Sequence, residues 1–213
     1  MSLPDVIPLF PLPNVVLFPG IPLPLHIFEP RYREMVRDAV RGARLIGMVL
    51  LRGDWQEQYQ GNPEIFGVGT VGEIGHLEEL PDGRFNLVLR GLREFVIHRE
   101  LSRQTYREAV VSWRPAIQGT LPDGERSSIA SLVLRYLERL GRAPADGDLL
   151  ESGVDDETFV NFLAQHLEVD PLEKQALLEA STLSERGRRL VDVLEFRLEE
   201  LRSHPAGSTG RAH

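Results

Sequence analysis

The sequence predicts an α+β protein, with a mainly β part that carries one inserted helix and a helical part after it. Three observations support this. Short runs rich in Val, Ile, Leu and Phe, bounded by Gly and Pro, fill the first half of the chain. Apolar stripes at helical spacing fill the second. Composition also shifts between the two: residues 1–115 hold 14 acids and 13 bases, residues 116–213 hold 18 acids and 11 bases, and eight of the 15 prolines fall in the first 30 positions. The shift places a boundary near Pro115–Asp123. It gives a mainly β part over 1–118, a helical bundle over 119–203 and a disordered tail over 204–213.

The β runs are Val15–Phe18, Leu45–Leu51, Ile65–Val71, Phe85–Leu89, Phe95–His98 and Tyr106–Trp113. Pro81-Asp82-Gly83 reads as a hairpin turn, because proline presets φ and Asp-Gly tolerates positive φ. Phe85, Leu87 and Leu89 alternate with Asn86, Val88 and Arg90, so one face points inward. Pro30 can open a helix at its first position, where its missing N–H costs nothing. Tyr32, Met35, Val36, Ala39 and Val40 follow helical spacing, and Gly42 is a candidate C-terminal cap.

In the second half, Ile129 to Leu140 form a stripe that stops at Gly141, and Phe159, Phe162, Leu163 and Leu167 form another. Asp170-Pro171-Leu172-Glu173 and Thr182-Leu183-Ser184-Glu185 are capped helix starts. Arg142–Gly153, rich in Gly, Ala and Asp, is expected to be a mobile loop.

Composition excludes several kinds of chemistry. With no cysteine there is no disulfide framework, cysteine nucleophile or thiolate metal site. The 24 basic residues comprise one lysine, Lys174, and 23 arginines. A Schiff base, a P-loop or a Ser–Lys dyad could therefore use only Lys174. That residue lies inside a capped helix between Glu173 and Gln175, where it is expected to be solvated rather than to act as a base.

Gly67-Val68-Gly69-Thr70-Val71-Gly72 matches the dinucleotide fingerprint, but a second strand follows too soon for a βαβ unit. The pattern is read instead as a strand with bulges or close backbone approach. No two of the six histidines stand at i, i+4, so neither a metal nor a cofactor is expected. His166 is expected on the buried side of its helix. No run of about 18 apolar residues suggests a membrane helix, and the N-terminus lacks the basic start of a signal peptide. A cytoplasmic protein without membrane contact is expected.

A net charge of −8 disfavours nucleic acid as a partner. Arg90, Arg93, Arg99, Arg103 and Arg107 could still form a local RNA-binding face, or could simply pair with Glu94, Glu100 and Glu108. The unusual stretch is Ile7–Phe28, strongly apolar yet full of prolines that cannot donate to a sheet. It is not expected to be an ordinary central strand. It could wrap a barrel edge, its prolines blocking further strand addition, or leave apolar surface open to a partner.

Ile7-Pro8-Leu9-Phe10-Pro11-Leu12, Val16-Leu17-Phe18-Pro19-Gly20 and Leu23-Pro24-Leu25-His26-Ile27-Phe28-Glu29-Pro30-Arg31-Tyr32 strongly resemble the N-terminal domain of Lon proteases. Gly67–Val71, Asp82–Asn86, Leu89–Phe95, Asn161–Gln165 and Asp170–Gln175 continue the resemblance, which covers about residues 5–202. One departure is Glu94, where the family commonly has a second arginine. The resemblance implies a PUA-like β pseudo-barrel followed by a small α-helical bundle. It also implies a non-catalytic module that recognises substrate polypeptides, here as a stand-alone protein without the ATPase and peptidase parts.

The expected partners are unfolded or hydrophobic polypeptide segments, with a protease as a further candidate. The candidate contact residues are Pro22, Leu23, Leu25, His26, Phe28, Glu29, Arg31 and Tyr32. Two alternatives stay open, an enzyme built around His26, Glu29 and Arg31 and an RNA-binding protein.

Overall fold

The computed structural model describes residues 3–53, 55–58, 62–101, 105–117, 119–142 and 153–203. The tail expected over 204–213, and positions 143–152 of the expected loop, lie outside them. The chain divides into two compact units, Met1–Ala116 with Asn161–Glu179, and Ile117–Val160 with Ala180–His213. Residues 161–179 thus group with the β part, although they follow the 119–203 bundle's start in chain order. Among the described residues no helix is long and apolar enough to cross a membrane.

The first unit is built on six strands: β1 (Val6–Leu12), β2 (Pro22–Ile27), β3 (Leu45–Leu50), β4 (Val68–Glu79), β5 (Phe85–Leu101) and β6 (Arg107–Trp113). Their order is β2-β5-β4-β3-β1-β6, and β6 also pairs with β5. That last pairing closes β5, β4, β3, β1 and β6 into a ring and leaves β2 as the strand with a free edge. The fold is α+β, as the sequence predicts. The runs Phe85–Leu89 and Phe95–His98 merge into one 17-residue strand, long enough to pair with β2 and β4 at one end and β6 at the other. The run Val15–Phe18 is no strand. Flanked by Pro13 and Pro19, it is a buried loop, and Phe18 N–H donates to the Gln165 side chain at 3.1 Å.

β1 corrects a second expectation, because this proline-bearing segment is an interior strand. Its pairing is staggered: Val6–Leu9 pair with β6 and Leu9–Leu12 with β3. Asp5 O accepts from Val111 N, and Leu12 O accepts from Leu51 N. Since backbone groups alternate along a strand, odd residues face β6 and even residues face β3. The donorless nitrogen of Pro8 therefore faces β3 before that pairing begins, and Pro11 faces β6 after that pairing ends. Neither proline removes a ladder bond.

The helix α1 (Pro30–Arg41) starts at Pro30 and buries Tyr32, Met35, Val36 and Ala39. They join Phe10, Leu17, Ile27, Phe85, Leu87 and Leu89 in one core cluster. Gly42 ends the helix without a left-handed conformation. The residue at positive φ is Arg44 (φ 59°), whose N–H returns to Ala39 O at 2.8 Å. The short helix α2 (Trp55–Gln58) follows β3. The glycine pattern of β4 serves close packing, as expected. A Cβ on Gly69 would collide with Met48 O and stand 2.8 Å from the Phe95 ring.

In the second unit, α3 (Glu125–Arg139) buries Ile129, Val133 and Tyr136. α4 (Asp156–His166) starts in this unit, and Asp156 takes Leu121 N–H at 2.9 Å and Arg126 at 2.9 Å. α6 (Leu183–Ser203) buries Leu190, Leu194 and Leu198. Thr182 caps it by accepting from Glu185 N at 3.1 Å, and Glu185 accepts from Ser181 N at 2.8 Å.

Candidate functional site

The strand β2, the link Phe28–Glu29 and the first turn of α1 hold every residue singled out for contact. β2 runs antiparallel to β5, from Pro22 opposite Arg90 to Ile27 opposite Phe85. Its side chains alternate. Pro22, Pro24 and His26 are exposed, whereas half-buried Leu23 and Leu25 pack against the core that holds Ile27. Phe28, just past the strand, is 58% exposed, level with Leu172 and Phe196 at the top of the described large apolar residues. Its ring stacks against His26 with centroids 6.3 Å apart.

Glu29 and Arg31 form an ion pair at 2.9 Å. Tyr32 is buried, its ring 4.5 Å from Phe10 and beneath the Arg31 guanidinium at 4.6 Å. The structure therefore leaves Pro22, His26 and Phe28 exposed and places Leu23, Leu25 and Tyr32 in or against the core cluster. Pro24, outside the candidate set, shares the exposed side with Pro22 and His26, as the period-two alternation of Pro22–Ile27 requires.

His26 sits in a chain of hydrogen bonds across three strands. Arg84 Nη1 meets His26 Nε2 at 3.3 Å, His26 Nδ1 meets Asn86 Oδ1 at 2.7 Å, and Asn86 Nδ2 donates to Glu78 at 3.0 Å. The two ends set the direction, since a guanidinium can only donate and a carboxylate can only accept. Asn86 must then turn its oxygen to His26, which donates from Nδ1 and accepts at Nε2. Arg84 is steadied by Asp82 at 2.7 Å. The Arg84 backbone N–H, followed by its guanidinium, holds the Asp82 carboxyl below its ordinary value. Both imidazole nitrogens are thus engaged by Asn86 and Arg84, whereas Glu29 and Arg31, grouped with His26 from sequence, pair with each other.

A second polar set explains the helical motifs. In the first unit Asn161 and Gln165, one turn apart on α4, hold Pro19 O at 3.1 Å and Phe18 N at 3.1 Å. On α5 (Pro171–Leu178), buried Gln175 donates to Val68 O at 3.1 Å. Arg114 donates to Glu94 at 2.8 Å and to the helix-terminal carbonyls of Leu178 (2.9 Å) and Glu179 (3.1 Å). Glu94 is 5% exposed, so the departure at this position provides a buried partner for Arg114.

Two expectations change. Lys174 is half-buried rather than solvated. Its Nζ donates to Gln165 O at 2.6 Å, and burial pulls its pKa below the ordinary value while Glu168 acts in the opposite direction. His166 is exposed, its ring 4.1 Å from Phe162 and its Nδ1 on Phe162 O at 2.9 Å, because the buried face of α4 passes through Asn161 and Ala164 instead.

Of the arginines weighed for RNA, Arg107 pairs with Glu100 at 2.6 Å, and Arg103 lies outside the described residues. Among the described residues no cluster of three or more His, Asp or Glu could hold a metal. A cavity of about 570 Å³ in the second unit is lined by Asp123, Glu125, Ser128, Arg188 and Asp192, among others, and by no sequence-predicted contact residue.

Residues 6–195 match the family model of the ATP-dependent protease La (LON) substrate-binding domain. The chain belongs to the Lon substrate-binding domain family. It is 28% identical over 206 residues to a Lon protease of Cytophaga hutchinsonii, covering 93% of this chain and 25% of that protein. With Lon protease 2 of Syntrophobacter fumaroxidans it shares 31% identity over 183 residues, 84% of this chain and 23% of the relative. The chain thus spans about a quarter of the length of these Lon proteases.

The crystal structure of a Lon N-terminal domain protein from Xanthomonas campestris is similar at 28% identity and TM-score 0.65, covering 88% of this chain and 97% of that one. The N-terminal domain of a Mycobacterium avium complex Lon protease shares the fold at TM-score 0.70 and 18% identity, covering 89% and 98%.

Proposed function

We propose that this Lon substrate-binding domain captures apolar or partly unfolded polypeptide segments on the outer face of β2, as a recognition or adaptor module in the cytoplasm rather than as a peptidase. The exposure of Phe28, its ring stacked beside His26, carries the reading. A ring of this size left in water at the rim of a rigid strand is the kind of anchor that dominates binding energy at interfaces. Pro22 and Pro24 extend the apolar strip, with Leu23, Leu25 and Tyr32 fixing it from below. The match to a substrate-binding domain supports the non-catalytic part of the reading.

The test is fluorescence titration of a labelled, permanently unfolded protein. Wild type should bind, and Phe28→Ala should weaken binding about tenfold, roughly 1.4 kcal/mol. Absence of wild-type binding at about tens of micromolar, near 6 kcal/mol of affinity, would remove the proposal.

A further inference from the structure

The free edge of β2 has an unusual donor pattern. Gly91 N donates to Ile21 O, and Gly20 N donates to Gly91 O. Ile21 thus faces β5, and by alternation so do Leu23, Leu25 and Ile27. The backbone groups of Pro22, Pro24 and His26 face the open edge. Pro22 and Pro24 have no N–H, so this edge presents three carbonyl acceptors and a single donor, from His26. An added β-strand would aim a carbonyl at each proline ring and find no partner, leaving a desolvated acceptor each time. The edge is fixed in this state, because the Arg84–His26–Asn86–Glu78 chain ties β2 to its neighbours.

We propose that polypeptides on this surface are read through their side chains, by Phe28 and the rings of Pro22 and Pro24, and not by strand addition. The inference rests on the polypeptide-recognition reading above. The occupant is an apolar segment whose backbone amides stay free of β2, so that proline-containing or otherwise donor-poor segments are accepted as well as ordinary ones. The carbonyls of Pro22 and Pro24 remain available to side-chain donors of the bound segment.

The test uses the wild-type chain and two fluorescein-labelled peptides of the same Phe- and Leu-rich sequence, one with every second backbone nitrogen methylated. N-methylation removes donors and blocks strand addition while keeping the side chains. The expected result is equal affinity within about threefold. Strand addition would instead lose at least two main-chain hydrogen bonds and weaken the methylated peptide roughly tenfold or more; that result overturns the inference while leaving the recognition reading intact. Binding of neither peptide overturns both. In a second measurement, the Pro22→Ala, Pro24→Ala double variant restores two edge donors and should begin to prefer the unmethylated peptide. An unchanged ratio in that variant would overturn the inference, because restored edge donors would then make no difference to how the peptide is read.

Discussion

Replacing Arg114 with alanine should be among the most damaging single changes in the first unit. The guanidinium meets the Glu94 carboxylate at 2.8 Å and two helix-terminal carbonyls at 2.9 and 3.1 Å. The two side chains are 16% and 5% exposed, so water reaches this pair poorly. Breaking a buried ion pair from one side costs about 3–5 kcal/mol, because the remaining charge keeps its desolvation penalty. Each of the two carbonyls adds about 0.5–1.5 kcal/mol, with exposed Glu179 at the lower end, so a total of about 4–6 kcal/mol is expected. Urea unfolding followed by tryptophan fluorescence is the assay. With a slope of about 2 kcal/mol per molar urea, the midpoint should fall by roughly 2–3 M at constant slope. Glu94→Gln should lose less, about 1–2 kcal/mol, because an amide oxygen can still accept. The pair Glu94→Leu with Arg114→Met should recover much of the loss. A loss below about 1 kcal/mol for Arg114→Ala would refute the reasoning.

Asp156 carries a pH signature. The Leu121 N–H, followed by the Arg126 side chain, holds its carboxyl below the usual carboxylate range. A depressed folded-state value means the stabilisation is present above the unfolded value of about 4 and fades as pH falls through the lowered one. Asp156→Asn should therefore cost about 1 kcal/mol at neutral pH, with the gap to wild type closing in acid; urea midpoints measured at both pH values would show it, and a gap that widens in acid would contradict it. Gly69→Ala should destabilise by roughly 2 kcal/mol through overpacking against Met48 O and Phe95, whereas Gly67→Ala, with nothing within 4 Å of the new methyl, should stay within about 0.5 kcal/mol. Equal thermal shifts for the two would show that the glycine pattern has another purpose. Long-range ¹H–¹⁵N spectra of His26 at mildly alkaline pH should show the proton on Nδ1, as the Arg84-to-Glu78 chain requires; a proton on Nε2 would break that chain.

Much of the local structure was legible because its causes are neighbours in the chain. Pro30 opens α1, Gly83 takes φ 78° in the Pro81-Asp82-Gly83 turn, and Asp170 and Glu173 cap α5 reciprocally. The inward alternation of Phe85, Leu87 and Leu89 needs only the pleat. The same rule applied to Pro22–Ile27 separates the exposed set from the core set, so half the candidate site was readable by period alone. Tyr32 was readable only as part of a helical stripe; its burial depends on Phe10, 22 residues away in sequence.

Amino-acid sequence alone determined the α+β class, the inserted helix and the helix starts, and marked the proline-rich segment as the unusual stretch. These follow from φ restriction, capping and side-chain periodicity, all interactions of short range. Tertiary structure alone decided that β1 lies between two strands, that β6 returns to β5 to close the ring, and that Glu94 meets Arg114. It also decided which edge of β2 the prolines face. Such features depend on which distant backbone supplies the missing partner, and a proline records only that its own donor is absent, not which neighbour would have needed it.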